Sequence, residues 1–421
     1  MSDPLLPNKA SEAARGALIR MGPSKHRMVC AFETFVFPAV WVIEHVRPQR
    51  EPPNESIREI LVIEYWNIGD IVNLLPFLES LRAAYPAARV SLLINPAMRS
   101  AFESRSLADE VIPFTTLWST HFNRWQKYNP FSLRWFQLAK TLMALRRRKF
   151  DLALTGRMDI RDNFLAWLID ARRRVGYGFA GGGFFLTDVV TPDLNRPHRS
   201  QIWLQLLRHL GKNICSEIPR LRLVESEKAA AAGFLRKNGI GDGELLVGVH
   251  PGARVPTRRW GEANFAAVAT RIESEFKARI LWFADPAETY SSDCISPSWI
   301  RVALPFREFL AVLARCQMLI CNDSGPMHLS TALGVPVVAV FGPTQPVWFG
   351  PVGPGNRVVI RPEFWCRPCF DYCIFNEPYC LRTITVEEVF KTATESLREV
   401  IQEIDLKTAH RPRRIGTETR S

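Results

Sequence analysis

The sequence predicts two doubly wound α/β domains in tandem, and three observations predict them. Short β-branched runs alternate with apolar-periodic stretches; the alternation stops and restarts near residue 240; and 421 residues are too many for one ordinary core. A hydrophobic content of 47% is enough to fill both cores.

Residues 1–55 form an N-terminal extension and linker, ending in Arg-Pro-Gln-Arg-Glu-Pro-Pro-Asn, whose three prolines discourage regular structure. Within the extension, Val29–Val46 is apolar and aromatic but is interrupted by Glu33, Pro38, Glu44 and His45. A spanning helix needs about 20 nearly uncharged residues, so the stretch reads as a packing or interfacial helix. The N-terminus lacks the basic, apolar and small-residue succession of a signal peptide, which implies a cytoplasmic location.

The first domain, 56–225, opens on Ile60-Leu-Val-Ile63, a run suited to a fully buried parallel strand. A helical period follows from Ile71 to Ala84, then a second strand, Arg89 to Ile94. The order β, α, β requires a right-handed crossover and a parallel sheet. The pattern continues through a helix at Leu133–Arg148, a strand at Phe150–Leu154 and a helix at Asn163–Ala171. The basic, glycine-rich stretch Arg172–Gly183 reads as a loop, Ser200–Leu210 as a helix, and Gly211–Asp242 as containing the link.

The second domain, 240–400, restarts with a strand at Leu245–Val249 and a helix at Ala263–Phe276. Strands at Arg279–Phe283, Met318–Cys321 and Val335–Phe341, helices at Phe306–Cys316 and Val386–Ile404, and a basic polar tail, 405–421, complete it.

The net charge is +12, and its placement says more than its size. Between His121 and Val175 stand thirteen Lys or Arg and four Asp, including the runs Arg146–Lys149 and Arg172–Arg174. Such a surface either is a solvated helix face or favours an acidic partner. Nucleic acid is disfavoured, because no recognition-helix or aromatic RNA-binding pattern accompanies the charge. Aromatics gather nearby, at Trp118, Phe122, Trp125, Phe131, Trp135 and Phe136, and either cover a helix or form a lipid-facing or sugar-stacking surface.

The richest stretch runs from Cys321 to Gly342. A strand leads into Asn322-Asp323-Ser324-Gly325-Pro326-Met327-His328, and a helix of barely two turns ends at Gly334. Ser324 or Gly325 can cap that helix, and Pro326 suits its first turn. Its unpaired N–H groups point out at the carboxyl end of a strand, where open α/β sheets bind ligands and a diphosphate is a natural occupant. Phe341-Gly342-Pro343-Thr344-Gln345-Pro346 adds a second turn at the same end. Upstream, Val249-His250-Pro251-Gly252-Ala253 leads to Arg258-Arg259-Trp260, cations suited to a departing nucleoside diphosphate.

These residues resemble glycosyltransferase family 9, the ADP-heptose:lipopolysaccharide heptosyltransferases. The resemblance is carried by VHPGAR with RRW, by CNDSGPMHLSTALGVPVVAVFGPTQP, and by IEYWNIGDIVNLLPFLESLRAAYP, and covers about residues 58 to 400 in order. It implies a GT-B fold, two Rossmann-like domains facing a cleft, with acceptor on the first and ADP-heptose mainly on the second. It implies inverting, metal-independent transfer from the ADP-sugar, with no cofactor, to a lipopolysaccharide-core or other anionic glycolipid at the cytoplasmic face of the inner membrane.

Asp70, in Asn67-Ile-Gly-Asp70, is on position alone a helix cap or a base; the resemblance makes it the general base. Gly69 keeps the turn open beside the acceptor, and Arg172 and Arg173 are the basic residues assigned to hold it. Arg258 stands where the family has a phosphate-binding lysine, and Arg259 is its alternative. The resemblance adds Gly252, Ala253, Asp323, Ser324, Gly325 and His328 to the donor site. It also adds Asp285 for the ribose, with Glu288 as competitor.

Nine cysteines include five singletons, Cys30, Cys215, Cys294, Cys316 and Cys321, which read as thiols of a reducing compartment. Cys366, Cys369, Cys373 and Cys380 are clustered tightly enough for a structural zinc ion or iron–sulfur cluster, for disulfides, or for packed thiols, and the spacing leaves all three open. A dinucleotide-dependent oxidoreductase is disfavoured, since the first strand leads to one glycine, Gly69, where Gly-x-Gly-x-x-Gly would be expected. A transferase for another sugar nucleotide or acceptor, and a silent glycan-binding relative, are the remaining alternatives.

Overall fold

The computed structural model describes residues 23–46, 57–101, 107–115, 133–284, 294–369 and 373–409. The chain divides into two compact units, Met1–Leu221 with Val347–Gly350, and Arg222–Pro346 with Pro351–Ser421.

In the first unit, β1 (Glu59–Ile63), α2 (Ile68–Ala84), β2 (Arg89–Ile94) and β3 (Glu110–Pro113) follow an N-terminal helix α1 (Pro23–Val46). They are succeeded by α3 (Leu133–Arg147), β4 (Leu152–Thr155), α4 (Ile160–Ile169), β5 (Arg173–Tyr177), β6 (Asp188–Val190) and α5 (Arg199–His209). The sheet is parallel throughout, in the order β3-β2-β1-β4-β5-β6. Ile60 to Ile63 are buried on both faces, which is why their sequence shows an unbroken apolar run.

The second unit repeats the plan. It contains α6 (Glu225–Lys237), β7 (Leu246–His250), α7 (Glu262–Phe276), β8 (Arg279–Phe283), β9 (Ile300–Val302) and α8 (Phe306–Leu313). Then come β10 (Met318–Asn322), α9 (Gly325–Ala332), β11 (Val337–Phe341), the one-turn α10 (Pro346–Phe349), whose residues from Val347 on group with the first unit, β12 (Arg357–Ile360), α11 (Tyr379–Arg382) and α12 (Val386–Ala409). The parallel order is β12-β11-β10-β7-β8-β9. Gly248 in β7 has no room for a side chain, since a Cβ there would lie 2.9 Å from Phe283 and 3.1 Å from Leu319.

Several expectations change. The stretch expected as a loop, Arg172–Gly183, begins with β5, because its arginines are matched by charge: Arg173 grips Asp188 at 2.6 Å and Arg174 reaches Glu44 at 2.8 Å. The expected link Gly211–Asp242 contains α6, whose Glu227 pairs with Arg307 of α8 at 2.5 Å, so this helix packs within the second unit. The extension carries the expected packing helix. Residues 23–46 are helical through Pro38 and lie on the first unit, with the Phe32 ring 6.2 Å from Phe164 and Phe37 5.5 Å from Phe184. Among the described residues, no helix is long and apolar enough to cross a membrane.

Candidate active site

Each sheet brings its strand ends together by register. In the first unit Ile63 pairs with Thr155, so Glu64 and the turn Gly156-Arg157 leave the sheet side by side. Asp70 stands in the first turn of α2, two residues after Ile68 and next to Gly69. Its Oδ2 accepts the Asn67 backbone N–H at 3.3 Å, so the residue does cap its helix.

The same carboxylate is clasped by two cations. Arg157 Nη1 lies 3.4 Å from Oδ2 and Arg199 Nε 3.6 Å from Oδ1, while the Asp70 side chain keeps 12% of its surface exposed. Arg157 lies over the Trp66 ring, 4.1 Å from its centroid, which fixes the guanidinium plane. Arg199 is placed by packing: a Cβ on Gly156 would meet the Trp203 ring at 2.3 Å, so only glycine lets α5 approach there. Trp203 in turn packs on Phe77 of α2 at 4.9 Å, and Arg199 stands one turn before it.

Behind Asp70 lies a buried acid cluster. Burial, reinforced by the Asp70 carboxylate, pushes Glu64 up to about 8. Burial and neighbouring Asp159 push Asp162 up to about 7, although the Tyr65 hydroxyl donates to it. At neutral pH Glu64 is therefore largely a neutral acid, and Asp70 faces Arg157 and Arg199 as the charged member. Glu64 Oε1, Asn73 Oδ1 and Asp162 Oδ2 are buried and accept no hydrogen bond.

Glu64 holds its proton more tightly in the folded chain than at its ordinary 4.5. Its contribution to stability is thus full below its ordinary value and is lost as pH rises through about 8. Urea unfolding of the wild type is expected to show stability falling across that window, and Glu64→Gln to flatten the slope. An unchanged slope in the variant would assign the titration elsewhere.

The register does not bring Arg172 and Arg173 to Asp70, which corrects their assignment as acceptor residues. Both stand at the amino end of the sheet, where Arg173 pairs with Leu152 at the start of β4, while Asp70 follows the carboxyl end of β1. Arg172 lies 3.5 Å from Asp151, and Arg173 is held by Asp188. The cations that do meet Asp70 were missed because they stand far from it in sequence, beyond β2, β3 and β4. The available signal was Thr155-Gly-Arg157, a glycine-containing exit from a strand like Asn67-Ile-Gly-Asp70.

In the second unit, Cys321 pairs with both His250 and Ala339, which gathers the three predicted turns at one edge. Asn322 ties two of them: its Nδ2 donates to Pro251 O at 2.6 Å and its Oδ1 accepts from Trp260 N at 3.0 Å. The Gly252-Ala253 turn is further held by Arg259 Nε, which donates to Ala253 O at 2.7 Å. Arg259 is thus used in bracing that turn, whereas Arg258 Nη1 lies 3.2 Å from Asp323 Oδ2.

Asp323 is 3% exposed and also accepts the Thr344 hydroxyl. Its carboxylate meets both partners, and so orients the Arg258 guanidinium. Ser324 caps α9 in extended conformation, its hydroxyl donating to Asn322 O at 3.2 Å, and Gly325 is the first helical residue. His328 is buried in the same helix. Asp285 and its competitor Glu288 lie outside the described residues, as do Trp118, Phe122, Trp125 and Phe131.

The cysteine stretch braces this edge. Cys369 N donates to Pro343 O at 3.1 Å, and Arg367 Nη2 donates to Thr344 O at 2.5 Å, fixing the turn that supplies Thr344 to Asp323. Among the described residues no disulfide joins Cys366, Cys369, Cys373 and Cys380. Burial pushes the Cys380 thiol up to about 11. Among the described residues no group of three or more His, Cys, Asp or Glu is arranged to hold a metal ion.

A sequence model of glycosyltransferase family 9 (heptosyltransferase) matches residues 136–379, more than half of the chain. A lipooligosaccharide heptosyltransferase 2 of Campylobacter jejuni is 26% identical over 167 residues, 37% of this chain and 52% of that protein. The chain spans about half the length of the first curated relatives it matches. A glycosyl transferase family 9 structure from Veillonella parvula superposes with a TM-score of 0.64 at 24% identity, covering 81% of this chain and 97% of that one. The E. coli ADP-heptose LPS heptosyltransferase II superposes at 0.61 with 20% identity, covering 83% of this chain and 100% of that one. These likenesses, with the two parallel sheets, establish a fold of the GT-B type.

Proposed function

Because the chain belongs to glycosyltransferase family 9, we propose that it transfers a heptose, or a related sugar, from an ADP-sugar to a lipopolysaccharide-core or similar anionic glycolipid. The observation that carries this reading is Asp70, a carboxylate capped by its own helix and clasped by Arg157 and Arg199 at the carboxyl edge of a parallel sheet.

In this reading an acceptor hydroxyl attacks the anomeric carbon from the side opposite the diphosphate, and Asp70 takes its proton. The bond from the anomeric carbon to the diphosphate oxygen breaks, the configuration inverts, and ADP leaves. Arg258 supplies a full positive charge, and the N–H groups that open α9 at Ser324 and Gly325 add positive potential, so negative charge on the leaving group is met without a metal ion. Arg157 and Arg199, whose side chains keep 20% and 17% of their surface exposed, offer positive charge to an anionic glycan. A glycolipid acceptor puts the reaction at the cytoplasmic face of the inner membrane.

Calorimetric titration with ADP, UDP and GDP tests the donor, and proton NMR of the product made from ADP-heptose tests the stereochemistry. Binding of ADP at least tenfold tighter than the others, with a product of inverted anomeric configuration, is expected. Preference for UDP or GDP, or a retained configuration, rejects the corresponding part.

A further inference from the structure

Helix α1 is amphipathic in the opposite sense to a helix on a water-facing surface. Its inward stripe, Val29, Glu33, Val36, Val40 and Glu44, recurs at spacings of three and four and contains both of the helix's carboxylates. Glu33 accepts the Gly182 N–H at 2.6 Å, and Glu44 accepts from Trp167 Nε1 and from Arg174 Nη2, each at 2.8 Å. Gly181, at φ +96°, leaves the space into which Glu33 fits, since a Cβ there would lie 2.8 Å from its Oε1.

The outward face carries Phe35, 82% exposed, with Trp41, Val42, Ile43 and Val46, the last 79% exposed. Water penalises a contiguous apolar face of this kind, and an apolar medium stabilises it.

The neighbouring helix indicates the charge at the border of that medium. Both α1 and α3 pack on α4: Phe32 meets Phe164, and Arg146 of α3 reaches Leu168 O at 3.4 Å. The sequence of α3 contains no Asp or Glu, and it exposes Trp135, Phe136 and Met143 alongside Lys140 and Arg147. Aromatics and cations without carboxylates suit the interface of an anionic bilayer, which the absence of a spanning-length apolar helix among the described residues makes a surface contact.

We propose that the outer faces of α1 and α3 dock the protein on an anionic phospholipid bilayer, with the α1 aromatics at headgroup depth and the α3 cations on lipid phosphates. This deepens the glycolipid-acceptor reading by naming the surface that meets the membrane.

Full-length protein sedimented with phosphatidylcholine vesicles, with and without phosphatidylglycerol, tests it. Binding to the anionic vesicles is expected to exceed binding to the zwitterionic ones at least tenfold, and to weaken as salt rises from about 0.1 M to about 1 M. Phe35→Ser/Trp41→Ser/Val42→Ser is expected to lower affinity at least tenfold, and Lys140→Glu/Arg147→Glu to abolish the anionic preference. Should the triple variant misfold, quenching of tryptophan fluorescence by brominated lipid, reduced in Trp41→Phe, carries the test instead. Equal sedimentation of wild type and triple variant overturns the proposal. So does a dimer in ultracentrifugation that the triple variant abolishes, because the face then belongs to a second copy. The vesicles contain no acceptor and no donor is present, so failure here leaves the transferase reading standing, and failure to bind ADP leaves docking standing.

Discussion

Asp70→Asn is expected to lower turnover about 10²- to 10⁴-fold, the range lost when a positioned general base is removed. The asparagine is the informative replacement. Its amide oxygen can still accept the Asn67 N–H that Asp70 accepts at 3.3 Å, so the cap of α2 survives while basicity is lost. Both variants leave Arg157 and Arg199, 3.4 Å and 3.6 Å from the carboxylate, without its counter-charge, and alanine removes the cap as well. The pair of variants therefore isolates the cap: both lose turnover and the counter-charge, but the alanine variant loses more thermal stability. ADP affinity should be unchanged in Asp70→Asn, because the diphosphate contacts of the proposed reaction come from the second unit. Turnover above a tenth of wild type in Asp70→Asn would remove Asp70 from the role of base.

Much of the architecture was legible because buried parallel strands announce themselves. Ile60–Ile63, Met318–Cys321 and Val337–Phe341 are apolar on both faces, and each was readable as a strand. The strands that escaped are of two kinds. β3, β6, β9 and β12 are three or four residues long and lie at the sheet edges, too short for a period to show. β5 was hidden by three arginines whose partners, Asp151, Asp188 and Glu44, are supplied from elsewhere in the chain.

The site divides along the same line. Residues following one another through a strand-to-helix turn, such as Asp323, Ser324 and Gly325, could be read together because the turn itself is local. Glu64, Arg157, Asp162 and Arg199 could not, because only strand register and the Gly156–Trp203 contact bring their segments to Asp70. The reading of Arg172 and Arg173 failed for the related reason that a run of like charges does not reveal at which end of a sheet it will stand. Glu33 and Glu44 taught the opposite lesson: they interrupt the apolar run of α1 in sequence, yet they are the residues that fasten it to the first unit.

Arg258→Ala is expected to lower turnover about 10²- to 10³-fold, as for loss of one group that stabilises developing charge in a transition state. It should also lower stability, by about 3 kcal/mol, the lower end of what breaking a buried ion pair costs. The lower end applies because Arg258 keeps 23% of its side chain exposed while Asp323 keeps 3%. The two losses have different origins, and a second substitution separates them. In Arg258→Ala/Asp323→Asn the buried carboxylate becomes a neutral amide that can still accept the Thr344 hydroxyl, so much of the thermal stability should return. Turnover should not return, since the amide restores no cation to the diphosphate. Arg258→Lys should recover part of the turnover, because the charge remains while the forked geometry on Asp323 is lost. Recovery of turnover by the double variant, measured beside its melting temperature, would make Arg258 a structural partner of Asp323 and move the leaving-group role to other donors at this edge.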